Sequence, residues 1–149
     1  MAPTKDAQRL RRLAERKGRA EDQFQLALLF YDGREGLKPD KVAAAKWFRK
    51  AAAQEHARAQ AAIGGCYAIG EGVEQNPALA VEWTEKAAGQ GEVQALHNLG
   101  LFYHGGQGVE QNDALAVEWW EKAAMEGNAA SQYNLGRAGP THTAGTAFP

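Results

Sequence analysis

The chain has little of what would build a sheet or staple a small fold. Among its 149 residues there is one cysteine, Cys66, so no internal disulfide can form, and a reducing compartment is the simplest setting. Val and Ile together number eight, too few for a strand-rich fold. No apolar run reaches the roughly 18 residues of a membrane-spanning helix. The N-terminus, MAPTKDAQRLRRLAERKG, lacks the apolar stretch of a secretory signal. A cytoplasmic location is the expectation. The glycine-rich stretches are not followed by Lys-Ser/Thr, which excludes a phosphate cradle.

What the chain does have is self-similarity. Trp47, Trp83 and Trp119 stand 36 residues apart, each in the same local context. Residues 70–91 read GEGVEQNPALAVEWTEKAAGQG, and residues 106–127 read GQGVEQNDALAVEWWEKAAMEG. A period of this size means stacked supersecondary units. Leu26-Ala27 aligns with Ile63-Gly64, Leu99-Gly100 and Leu135-Gly136; Phe30, Tyr67 and Tyr103 follow four residues after each of the first three. The first copy has one extra loop residue, Gly33-Arg34-Glu35-Gly36 against Gly70-Glu71-Gly72. With that offset Leu10 aligns with Trp47 and Ala14 with Ala51, so the N-terminus is half a unit. The organisation expected is a capping helix (1–19), units at 20–56, 57–92 and 93–128, a truncated fourth unit (129–137), and a flexible Gly/Pro/Thr tail (138–149).

Each unit reads as two helices. Over 93–105, Leu96, Leu99, Gly100 and Tyr103 share a face; over 113–125, Leu115, Ala116, Trp119, Ala123 and Ala124 do. Gly106 and Gly108 end the first helix. Asp40, Asn76 and Asn112 can cap the second, with Pro77 at a first helical position. The recurrent Trp is expected to be core. Trp120, aligned with Phe48 and Thr84, is expected to matter less, since Thr84 is a small polar residue. Glu82 with Lys86, and Glu118 with Lys122, have the spacing of helix-surface ion pairs.

The order LG-x-x-Y, G-x-GV, a Trp three residues before KAA, then Gly resembles the Sel1-like repeat. It is carried by Leu99-Gly100, Tyr103, Gly106, Gly108-Val109, Trp119, Lys122-Ala123-Ala124 and Gly127, and in the second copy by Ile63-Gly64, Tyr67, Gly70, Gly72-Val73, Trp83, Lys86-Ala87-Ala88 and Gly91. The first copy departs at Ala27, Leu37 and Glu55. The tetratricopeptide repeat is the nearest competitor, with a shorter period of about 34. The resemblance implies an all-α, right-handed α/α superhelical solenoid acting as an adaptor, with the first helices lining its concave surface. Some secreted relatives are credited with hydrolytic or glycan-related activity and carry paired cysteines, which this chain does not.

Charge is balanced overall and uneven along the chain. Residues 1–58 hold 14 Lys/Arg and 8 Asp/Glu; residues 59–149 hold 3 and 10. Lys5, Arg9, Arg12, Arg16 and Arg19 form a basic stripe, read as the solvated outer face of a cap. Nucleic acid is not expected, because no aromatics interleave with these residues. Nor is a membrane surface, because the apolar face is small. The opposed halves would allow weak head-to-tail self-association. No catalytic residue, metal site or cofactor is expected. His97 and His104 are seven apart but lack a third ligand, and Cys66 has no basic neighbour to activate it.

Function is sought where copies differ while their surroundings repeat. One such column on the first helices holds Glu21, Phe24, Gln25 and Leu28, then Arg58, Ala61, Ala62 and Gly65, then Gln94, His97, Asn98 and Leu101, then Ala130, Tyr133, Asn134 and Arg137. It mixes aromatic, amide and charged types. The expected partner-binding residues are Phe24, Arg58, Gln94, His97, Asn98, Leu101, Tyr133 and Asn134, contacting a protein or peptide as a non-enzymatic adaptor. The alternatives are a hydrolase or small-ligand and glycan binder of the secreted type, and a repeat segment of a larger multidomain protein.

Overall fold

Local capping chemistry sets the helix limits. The computed structural model describes residues 1–138, which form eight helices: α1 (Lys5–Arg16), α2 (Ala20–Asp32), α3 (Lys41–Ala52), α4 (Ala57–Ile69), α5 (Pro77–Gly89), α6 (Val93–Gly105), α7 (Asp113–Met125) and α8 (Ala129–Ala138). No strand occurs among the described residues. Asp40 accepts from the Ala43 amide at 2.9 Å; Asn76 and Asn112 accept from Leu79 and Leu115, each at 3.1 Å. These bonds satisfy amides that a helix start leaves free. Gly33, Gly70 and Gly106 close α2, α4 and α6 in the left-handed region. Arg19, assigned to the basic stripe, lies beyond α1: Gly18, at φ 60°, breaks the helix first. Beyond Ala138, the flexible tail expected over 138–149 lies outside the described residues.

The helices stack in chain order, each packing mainly on the next, which makes an all-α helical repeat solenoid. A recurring glutamine ties each of the first two units to the one before it through a backbone carbonyl. Gln54 Nε2 donates to the Gly18 carbonyl at 2.7 Å and to Gln23 Oε1 at 2.8 Å; Gln90 Nε2 repeats this with Glu55 and Gln60 at 3.0 and 2.9 Å. The loops add a second tie. A Cβ at Gly72 would overlap the Lys41 carbonyl, and one at Gly108 the Pro77 carbonyl, so each loop lies flush on the start of the preceding second helix. At Glu55 the backbone takes φ 63°, where the equivalent Gly91 and Gly127 sit freely; a side chain there costs on the order of 1 kcal/mol.

The core corrects the expected tryptophan ladder. Trp47 is buried, but Trp83 and Trp119 are only half-buried. The neighbouring position is the one held between the helices of a unit: Phe48, Thr84 and Trp120 are all buried, Trp120 at 5% exposure. Gly64 and Gly100 make the room. A Cβ on Gly100 would collide with the Trp120 indole, and one on Gly64 would lie 2.5 Å from Thr84 Oγ1. Thr84 stands at a buried site, its hydroxyl donating to the Ala80 carbonyl at 2.6 Å. The expected Glu–Lys pairs also give way. Lys50, Lys86 and Lys122 lie over the rings of Trp47, Trp83 and Trp119, at 4.8, 4.7 and 4.5 Å from the centroids. A lysine one turn beyond an indole shields it from water and gains a cation–π contact.

Candidate binding groove

The first helices α2, α4 and α6 lie side by side and leave a groove of about 520 Å³. Its wall takes Leu28 from α2, Ala62 and Gly65 from α4, and Asn98 and Leu101 from α6. All five belong to the variable column. A Cβ built on Gly65 meets nothing within 4 Å, so the groove is open at that point. Leu101 is 42% exposed and Ile69, on the same wall, 67%. Gln94, exposed on α6, donates to Asn98 Oδ1 at 3.1 Å and so orients the groove amide.

The remaining expected binding residues fall elsewhere. His97 is 7% exposed, and its Nδ1 lies 2.7 Å from Ser131 Oγ in α8. Its backbone carbonyl accepts from Trp120 Nε1 at 3.2 Å. Burial pushes its pKa down. His97 is therefore packing between units, because α8 lies across it. Phe24 is buried as well: it stacks on His56 at 4.6 Å and meets Phe48 at 5.8 Å. Arg58 is exposed but lies over the Phe24 ring at 4.9 Å. Tyr133, 66% exposed, and half-buried Asn134 stand on α8, outside the groove wall.

Sequence reasoning misses Glu71 and Gln107. They occupy the same place in successive units, between the two glycines of the loop, and both reach the groove. The signal was there in GEG against GQG: a changing residue between fixed ones. Lys41 Nζ approaches Glu71 Oε1 at 3.7 Å, donates to the Tyr31 carbonyl at 2.9 Å and lies 3.2 Å from the Tyr31 ring centroid. The hydrogen bond to Glu71, with burial, pushes the Tyr31 phenol up to about 12. Burial first, and then the Glu71 charge, push the Cys66 thiol up to about 11, so it stays a neutral part of the groove floor.

The described histidines, His56, His97 and His104, do not converge. His104 Nδ1 meets Asp113 at 2.9 Å in the open, while His97 points to α8. His56 Nε2 meets Glu21 at 2.6 Å, and its Nδ1 accepts from the Ala59 amide, capping α4. Among the described residues no three His, Cys, Asp or Glu side chains gather as a metal site. Among the described residues no helix is long and apolar enough to cross a membrane.

Comparison with known proteins follows the same geometry. A search of the curated proteins finds no match. Among solved structures, a Sel1 repeat protein from Oxalobacter formigenes is 37% identical, with a TM-score of 0.77, over 89% of this chain and 98% of that one. A protective antigen present in uropathogenic Escherichia coli strains, displaying an SLR fold, is 39% identical over 81% of this chain, also with a TM-score of 0.77. This chain spans only 26% of that antigen. Helicobacter pylori cysteine rich protein B, at 20% identity and TM-score 0.66 over 87% of this chain and 96% of that one, shares the fold. Sel1 repeats are generally protein-interaction modules on a non-catalytic scaffold. The family described as Sel1 repeat matches residues 20–56, 57–92 and 93–128, and the chain belongs to it.

Proposed function

We propose that this protein is a non-enzymatic interaction module that receives a segment of a protein partner in the groove along α2, α4 and α6. The observation that carries this reading is the coincidence of two independent features. Leu28, Ala62, Gly65, Asn98 and Leu101 vary between copies, and they line one open apolar depression. Exposed Leu101 and Ile69 rim it, whereas the buried members of the same column, Phe24 and His97, serve packing. Binding energy in such grooves concentrates in a few apolar anchors flanked by polar groups that fix register. In this reading the chain does no chemistry of its own.

The open space at Gly65 gives the test. In Gly65→Trp the new Cβ meets nothing within 4 Å, and the indole is expected to enter the depression. Partners are identified by crosslinking mass spectrometry from native lysate. Gly65→Trp should keep its helicity and lose the partners that crosslink beside α4 and α6, while Tyr133→Ala on α8 keeps them. An unchanged partner set for Gly65→Trp, with loss for Tyr133→Ala, moves the binding face to the open end of the array.

A further inference from the structure

The groove wall carries one formal charge, and it is negative. Its ionised residue is Glu71; among the described residues no Lys, Arg or His lines it, and Tyr31 and Cys66 remain neutral at physiological pH. Lys41 does not fully answer that carboxylate. Its ammonium stands 3.7 Å from Glu71 Oε1, held by the Tyr31 carbonyl and ring, and the Glu71 side chain, which also accepts from the Tyr31 phenol, stays 27% exposed. Gln107 replaces Glu71 one unit on, so the groove is charged at one turn and neutral at the next. The amides favour an extended occupant. Asn98 takes one hydrogen bond, from Gln94, and the Gln107 side chain makes none within the described residues. A helix has its backbone groups satisfied internally, whereas an extended segment offers them to such amides.

Resting on the groove reading above, we infer that the occupant is an extended peptide segment in which an apolar side chain adjoins an arginine or lysine. The apolar side chain fills the space at Gly65 between Leu28 and Leu101. The cation sits against Glu71, and Asn98 and Gln107 pair with the peptide backbone. The affinity expected from the cation is modest, because exposed ion pairs change binding by roughly five-fold or less.

Fluorescence anisotropy at low salt tests this with fluorescein-labelled hexapeptides carrying Leu-Arg, Leu-Glu or Ser-Arg in a Gly/Ser background. Leu-Arg should bind tightest, roughly five-fold over Leu-Glu. That preference should vanish in Glu71→Gln and reverse in Glu71→Lys. All binding should be lost in Gly65→Trp, with Leu101→Ser, at an already exposed side chain, serving if Gly65→Trp does not fold. Equal binding of Leu-Glu or Ser-Arg, or a charge preference that persists in Glu71→Gln, overturns the inference and leaves the groove reading standing. If none of the three peptides binds, or if neither groove variant weakens binding, the groove reading falls and this inference with it.

Discussion

Phe48, Thr84 and Trp120 occupy one repeat position with three very different volumes, and at the last two the residue across from it is a glycine. Gly100 leaves space for an indole, and Gly64 lets the Thr84 hydroxyl come close. Removing the larger side chain therefore opens a hole that the stiff helix pair cannot close. Trp120→Ala should cost about 3–5 kcal/mol, a large share of the roughly 5–15 kcal/mol that stabilises a domain. Trp83→Ala, at a half-buried ring under Lys86, should cost clearly less. Denaturant melts of the two variants check this, and equal midpoints would contradict the assigned core. His97 supplies a second test at this scale. Burial holds its pKa below the ordinary value of 6.5. The unfolded chain therefore takes up a proton on this ring at a higher pH than the folded one does. Its contribution to stability is complete above about pH 6.5 and is lost as pH falls through the folded-state value. The melting temperature should drop between pH 7.5 and 5, and His97→Gln should flatten that drop. An undiminished slope in the variant would assign the effect to another group.

In α4 two adjacent glycines have opposite roles, and the helix period explains why. Gly64 faces α5, where an added Cβ would come 2.5 Å from Thr84 Oγ1 and 3.2 Å from the Ala80 carbonyl. Gly65, about 100° further round a helix, faces the open groove. Gly65→Ala should stabilise by roughly 0.5–1 kcal/mol through helix propensity alone, and Gly64→Ala should destabilise. Thermal melts that move in the same direction for both would refute the register. Element limits are the part most legible in the sequence: α6 and α7 coincide with the stretches 93–105 and 113–125 read from periodicity. Caps and glycine stops are local, so local reasoning finds them. The facing of each helix is harder. Trp47, Trp83 and Trp119 recur as the most noticeable letter, yet their recurrence goes with a lysine three residues on, and the tighter burial belongs to the variable position beside them. The groove is half-legible for the same reason. Helical spacing finds Leu28, Asn98 and Leu101, but which of their neighbours α8 or Arg58 covers depends on contacts one unit away. Glu71 and Gln107 come from loops, where no period guides the reading.

At the scale of the whole molecule, packing between consecutive helices makes stability a sum over neighbours and gives the chain no single core. The larger buried cluster runs from Ala14 to Phe102, with Ala123 joining it, while Ala116, Val117, Trp120 and Leu135 form a separate smaller one. The glutamine ties also thin out along the chain. The glutamine pairs at Gln23–Gln54 and Gln60–Gln90 have no successor, since Leu96 and Glu126 hold the corresponding positions. In their place the last joint relies on the His97–Ser131 bond and on Trp120. The C-terminal units should therefore open first, as a local event within an otherwise folded array. Native-state hydrogen exchange should give α7 and α8 lower protection than α3 and α4. Trp120→Ala should lower protection further in α6, α7 and α8 and leave the amides of α2 and α3 nearly unchanged. A uniform loss along all eight helices would mean that the array unfolds as one cooperative body, and that the break between the two clusters has no energetic weight.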